Sequence, residues 1–238
     1  MALTYSQYVT TLENLLVITA GDADFATDLP SIIDDAELRI YRDLDLMDTS
    51  VRDSSASFAA GNRNFTFPTA SGSFVVTDEL NVITPASATT ADGGTRNPLV
   101  PASEEVLNML WPSSTGSTVP QYFAMVNQNL AIVGPWPDAA YRVEVVGTVR
   151  PAPLSASNVT TILSAYFPDL LIAASMVRAT AFQKNYGAGA DDPKMGPTWE
   201  AHYKALKDSA DVEEQRKKFT SRGWSSKEPA PLATPPAT

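Results

Sequence analysis

Apolar residues recur every three to four positions from Asp28 to Leu46, in DLPSIIDDAELRIYRDLDL, and that spacing predicts an amphipathic helix. Leu29, Ile32, Ile33, Ala36, Ile40 and Leu44 form its stripe, and Asp34, Asp35, Glu37, Arg39, Arg42, Asp43 and Asp45 fall on the polar face. Asp28 is suited to accept the orphan N–H groups of the first turn, and Pro30 sits where its missing N–H does no harm. The helix would be about 27 Å long, and its stripe needs cover. An earlier helix is predicted over Thr4 to Ile18, with a capping-box spacing at Thr4 and Gln7, a stripe of Tyr8, Leu12, Leu15 and Leu16, and a stop at Gly21. The short link Asp22 to Thr27 makes the two helices an expected antiparallel pair.

From Thr49 the period changes from that of a helix to that of strands. Val51 to Ala59, the turn AGNRN and Phe65 to Phe67 predict a hairpin. Further strands are expected at Ser73 to Val76, Leu80 to Thr84 and Pro98 to Val100, around a loop from Pro85 to Asn97. Ser103 caps a short helix through Leu110. Tyr122 to Val126 and Leu130 to Val133 flank a turn at Asn127 to Asn129, and Tyr141, Val143, Val145 and Val149 alternate along a last strand. Arg150 to Asn158 is read as the return to helix. A buried helix follows from Pro168 to about Asn185, with Leu170, Leu171, Ala174, Val177 and Ala181 on one face, then a break at YGAGADDP. The last helix spans Pro197 to about Lys218, striped by Trp199, Tyr203, Leu206 and Ala210, with Arg216, Lys217 and Lys218 at the end where cations favour the dipole.

The expected fold class is α+β. About four helices from both chain ends (1–48 and 151–222) form an antiparallel bundle, 49–150 is an inserted antiparallel β-sandwich or barrel, and 223–238 is an extended Pro/Ala-rich tail unable to build a core.

Composition narrows the function classes. The chain of 238 residues has room for a sizeable core, and 44% apolar with 18% charged residues describes a folded protein. It has no cysteine and one histidine, His202, which removes thiolate sites, disulfides and most zinc chemistry. The N-terminus lacks a signal-peptide pattern, and the most apolar stretch is too short to span a bilayer, so a soluble, unsecreted protein is expected. Net charge is −10, and residues 1–60 alone carry eleven acids and three bases. Such a surface does not grip DNA, because phosphate binding relies on cations that release counterions.

Catalytic patterns are sparse. Asp22, Asp24 and Asp28 resemble the start of a calcium loop, but Ala26 and Thr27 stand where a ligand and a glycine belong, so capping is the expected role. None of the patterns GxSxG, GxxxxGK[ST], HExxH or GxGxxG occurs. Glu104/Glu105 and Asp191/Asp192 are sequence neighbours, whereas acid–base work needs carboxylates facing across a cleft. His202 is expected on a helix surface, and Arg39 and Arg42 in local or inter-subunit ion pairs. No enzyme activity and no cofactor or metal is expected. Trp136, between two prolines, reads as the cover of a core. Trp224, ahead of the tail, is expected at an interface, since aromatics anchor interfaces. With Arg216, Lys217 and Lys218 it forms the expected partner-docking set.

LPSIIDDAELRIYRDLDL, QYFAMVNQNLAIVGPWPDAAYRVEVVGTVRPAPLS and FPDLLIAASMVRATAFQ, in this order, resemble the head-to-tail adaptor (connector) proteins of tailed bacteriophages, in particular the tail tubular protein A type of short-tailed phages. The resemblance covers most of residues 3–215 and includes the pairs Ala36–Glu37 and Arg42–Asp43–Leu44 and the corner Pro135–Trp136–Pro137. It implies a homo-oligomeric ring, usually twelvefold, beneath the portal protein. Such a ring lines part of the DNA conduit and offers docking surfaces to the tail nozzle and to tail fibres or spikes. It places the protein in the virion, assembled in the host cytoplasm. A C-terminal extension that clamps the portal is typical of such adaptors, and Lys194 to Arg222 carries seven bases against five acids. Opposed charge at the two chain ends suits interfaces that close by rotation, and an acidic lumen would let genomic DNA pass without sticking. The alternatives are a glycan-binding or peptidoglycan-hydrolysing protein of the cell envelope, and a tail or baseplate component.

Overall fold

The computed structural model describes residues 2–182 and 194–221. The predicted break at YGAGADDP lies outside them, as does Trp224 with its tail.

Helix α1 (Tyr5–Leu16) opens with the expected capping box, in which the Thr4 hydroxyl accepts from the Gln7 N–H and the Gln7 side chain accepts from the Thr4 N–H. It ends earlier than Gly21, at Val17, which adopts a left-handed conformation (φ 55°, ψ 41°). Helix α2 (Ala23–Asp43) is capped six residues before the predicted cap, by Asp22, which accepts the Phe25 N–H at 2.8 Å. Phe25 and Leu29 extend the buried stripe backwards, which holds those added turns in the helix. Pro30 therefore lies inside α2, on its exposed side, where the carbonyl of Ala26 that it leaves without an N–H can be hydrated.

A 3-10 turn (Met47–Thr49) leads into β1 (Ser50–Asp53), followed by β2 (Asn64–Thr66), β3 (Ser73–Thr84), β4 (Thr95–Pro98), β5 (Val100–Pro101), α3 (Glu104–Leu110), β6 (Tyr122–Asn127), β7 (Leu130–Gly134) and β8 (Arg142–Arg150). Among the described residues the strands form two open sheets, ordered β1-β8-β3-β4 and β2-β7-β6-β5, and no barrel closes. All pairings are antiparallel except β5 with β6. The expected β1–β2 hairpin does not form, because the two strands belong to different sheets and residues 54–63 cross between them. The predicted strands at 73–76 and 80–84 are one strand, β3, with register shifts between Phe74/Val76 and Thr77/Glu79. The hairpin of β6 and β7 and the Ser103 cap of α3 are as predicted. One apolar core serves both sheets, and Phe58, Phe65, Phe67 and Phe74 run through it in edge or tilted contacts 5.2–5.8 Å apart.

The segment after β8 is not helical as expected. Its Pro151 and Pro153 favour extended backbone on themselves and the residues before them, and it delivers Leu154 (2% exposed) into the helical core. Helices α4 (Ile162–Tyr166), α5 (Pro168–Phe182) and α6 (Met195–Ser221) complete the fold. Helix α5 is the most apolar and is buried through Leu170, Leu171, Ala173, Ala174, Met176 and Ala179. Its alanines let α2 and α6 approach closely, and α1 packs on it through a 2.6 Å hydrogen bond from the Tyr8 hydroxyl to Ser175 Oγ. Among the described residues the fold is α+β, with six α-helices and two four-stranded sheets. None of those helices is long and apolar enough to cross a membrane.

Candidate functional site

The C-terminal half of α6 is latched onto the junction between α2 and β1. Glu214 is 3% exposed and accepts the Met47 N–H at 2.8 Å. Lys217 Nζ bonds Glu214 at 2.7 Å and lies 5.0 Å from the Phe167 ring centroid. Burial works against its charge, but the Glu214 and Glu213 carboxylates outweigh it and hold the ammonium above the usual lysine range. Lys218 pairs with Asp45. Of the predicted docking cations, then, Lys217 and Lys218 contact groups within the chain, while Arg216 lies on the exposed side of α6. Further along, Arg39 of α2 makes a two-pronged bond to Glu200 of α6, 2.8 Å at each nitrogen, and stacks 4.0 Å over the Tyr203 ring. Arg39 thus joins two helices of one chain as well as its i,i+4 neighbour Asp43. His202 is exposed on α6, as expected.

Beside that latch a cleft of about 460 Å³ separates the end of α2 from the sheet, between Tyr41, Arg42 and Leu44 on one side and Val75, Val76 and Arg150 on the other. A smaller cleft of about 260 Å³ shares Tyr41 and Arg150 with it and reaches Glu37. Sequence reasoning assigned Glu37 to the polar face of α2, yet it is 3% exposed. The segment after β8 folds over it: the Leu154 N–H donates to its Oε1 at 3.2 Å and the Thr161 hydroxyl at 3.5 Å. Burial pushes the Glu37 carboxyl up to about 7, with these two donors pulling the other way. Burial also raises the Tyr41 phenol, whose oxygen has no hydrogen-bond partner among the described residues. No signal in the sequence marked Glu37, because its burial comes from a segment more than a hundred positions away.

On the outer face of the first sheet Glu144, with its side chain 2% exposed, takes Arg96 at 3.0 Å and Arg52 at 3.8 Å. This arrangement ties β8 to its neighbour β1 and, across β3, to β4. Asp22 caps α2 and Asp35 pairs with Arg178 at 3.0 Å. Among the described residues no three His, Asp or Glu side chains are placed to hold a metal ion. Glu104 and Glu105 stand side by side, exposed, at the start of α3, and Asp191/Asp192 lie outside the described residues. Trp136 is held within the β region: its Nε1 donates to the Trp111 carbonyl at 3.1 Å, and Arg63 lies 5.6 Å over its ring.

What the arrangement offers is surface. Helix α3 packs inward through Leu107 against Ala124 and Ile132. It turns Val106, Met109 and Leu110 outward, at 41%, 73% and 54% exposure. Val75 and Val76 at the rim of the larger cleft are likewise half exposed.

Comparison with curated proteins finds no match. Residues 3–226 match the family model described as SU10 adaptor protein. That match spans nearly the whole length, helices and sheets together, and the chain belongs to the SU10 adaptor protein family.

Proposed function

We propose that this chain is a structural head-to-tail adaptor of a tailed bacteriophage, of the tail tubular protein A type, working as a ring between portal and tail nozzle. The family match over residues 3–226 is the observation that carries the reading. In it the helices of 1–48 and 151–222 form a bundle and 49–150 an inserted β-sandwich. Copies assemble, twelvefold, around the channel through which the genome leaves. Arg216, Lys217, Lys218 and Trp224, with the tail after them, dock on the portal, while fibres or spikes attach outside. The acid excess of residues 1–60 supports a lumen that repels the DNA backbone. The protein would act in the virion after assembly in the host cytoplasm, without catalysis. Nothing among the described residues favours an envelope-active hydrolase, since Glu104 and Glu105 share one short helix and do not face each other across a cleft.

The test is to mix the full chain with the cognate portal and examine the product by negative-stain microscopy and native mass spectrometry. A ring stacked on the portal is expected. A protein that stays monomeric in the presence of portal overturns the reading.

A further inference from the structure

Two exposed surfaces of this chain are complementary to each other and are built on different sheets. The first is the cleft between α2 and the β1-β8-β3-β4 sheet. Its floor is apolar, from Tyr41, Leu44, Val75 and Val76, and its rim is charged. Three carboxylates line it, and each is engaged within the chain: Asp43 accepts from the Tyr203 hydroxyl at 2.7 Å, Asp45 pairs with Lys218, and Asp211 accepts from Gln215 at 2.7 Å. Asp43 and Asp45 also have cationic partners in Arg39 and Lys218, whereas Arg42 and Arg150 are exposed and make no salt bridge among the described residues, so two guanidinium groups on the rim stand without an acidic partner.

The second surface is α3, seated on the β2-β7-β6-β5 sheet through Leu107. Val106, Met109 and Leu110 stand at i, i+3 and i+4, a single apolar stripe turned to solvent. Glu104 and Glu105 lie in the first turn of the same helix, and neither is in a salt bridge among the described residues. An apolar stripe led by two carboxylates matches an apolar floor flanked by two guanidinium groups. A surface that docks on a different surface of an identical copy makes a head-to-tail contact, which closes into a ring when the rotation allows.

We propose that α3 of one copy docks into the α2–sheet cleft of the next. Met109 and Leu110 would cover Val75 and Val76, and Glu104 and Glu105 would face Arg42 and Arg150. The proposal rests on the ring-forming reading above and names the surfaces that would build the ring. Electrostatic complementarity fixes the register of the contact and rejects wrong pairings.

Two double charge reversals test it, Arg42→Glu with Arg150→Glu in one protein and Glu104→Lys with Glu105→Lys in another. Circular dichroism checks that each keeps its fold, and native mass spectrometry with light scattering reads association, alone and with portal. Each variant alone should associate at least about 10-fold more weakly than the unmodified chain. An equimolar mixture of the two should recover assembly, because each altered surface then finds an opposite charge. As the chain has no cysteine, Val76→Cys combined with Met109→Cys gives a thiol pair for a bismaleimide linker. Covalent dimers and higher ladders are expected from the double variant, and none from either single one. If the unmodified chain never assembles, the ring reading fails and takes this proposal with it. If it assembles while both reversals leave association unchanged and the thiol pair gives no ladder, the ring stands and these surfaces do not build it.

Discussion

Replacing Glu37 by glutamine should remove a pH dependence that the fold now carries. The carboxyl ordinarily titrates at 4.5, and burial pushes it up to about 7 in the folded chain. Below pH 4.5 it is protonated in both folded and unfolded states, and the stability is fully present. As pH rises from 4.5 towards 7 the unfolded chain releases the proton while the folded one keeps it, so stability falls. Above 7 the loss is complete. The whole interval corresponds to about 3 kcal/mol, of which about 2 kcal/mol falls between pH 5.5 and 8.5. That window also stays clear of the pI near 4.5, where the chain would precipitate. Glutamine keeps an acceptor oxygen for the Leu154 N–H and the Thr161 hydroxyl and has no proton to lose. Urea unfolding followed by tryptophan fluorescence at pH 5.5, 7 and 8.5 would read both proteins. The difference between them cancels the other carboxylates, which titrate alike in each. The glutamine variant should gain on the wild type as pH rises and exceed it at pH 8.5. Curves that run parallel, or a variant less stable at pH 8.5, would refute the assignment of this pH dependence to Glu37.

Other substitutions probe the remaining contacts. Val17 holds a left-handed conformation at 91% exposure, so Val17→Gly or Val17→Asn should raise stability by about 0.5–1 kcal/mol in thermal melts. Leu154 joins the segment after β8 to the helical core, and Leu154→Ala should lower stability by about 2–5 kcal/mol in denaturant titration. Arg39 and Glu200 are each about a third exposed, so Glu200→Gln should lower stability by at most about 1 kcal/mol, with the effect fading in high salt.

Local signals were legible and distant ones were not. The Thr4 and Gln7 capping box of α1, the Ser103 cap of α3 and the β6–β7 turn depend on residues within a few positions of one another, and all were readable in the sequence. The start of α2 was misplaced because Asp22 and Asp28 are equally good caps by type. Only the burial of Phe25 and Leu29 decides between them. Alternation marked β1 and β2 as strands but does not encode a partner, and each pairs with a strand far along the chain. The latch formed by Glu214 and Lys218 and the burial of Glu37 share this cause. They bring together side chains more than a hundred positions apart, each of which reads in isolation as an ordinary polar residue of a helix.

Strand β1 carries the chain out of the helices and β8 carries it back, and the two pair antiparallel with Ser50 opposite Thr148. The departing and returning backbones therefore run side by side, only about 5 Å apart at facing residues. A tug on the outer lobe meets both strands together, as one double cord anchored by Leu46 at one root and Leu154 at the other. Length added or trimmed in the loops between the strands would leave the spacing of that cord, and the places of the helices it is rooted in, unaltered.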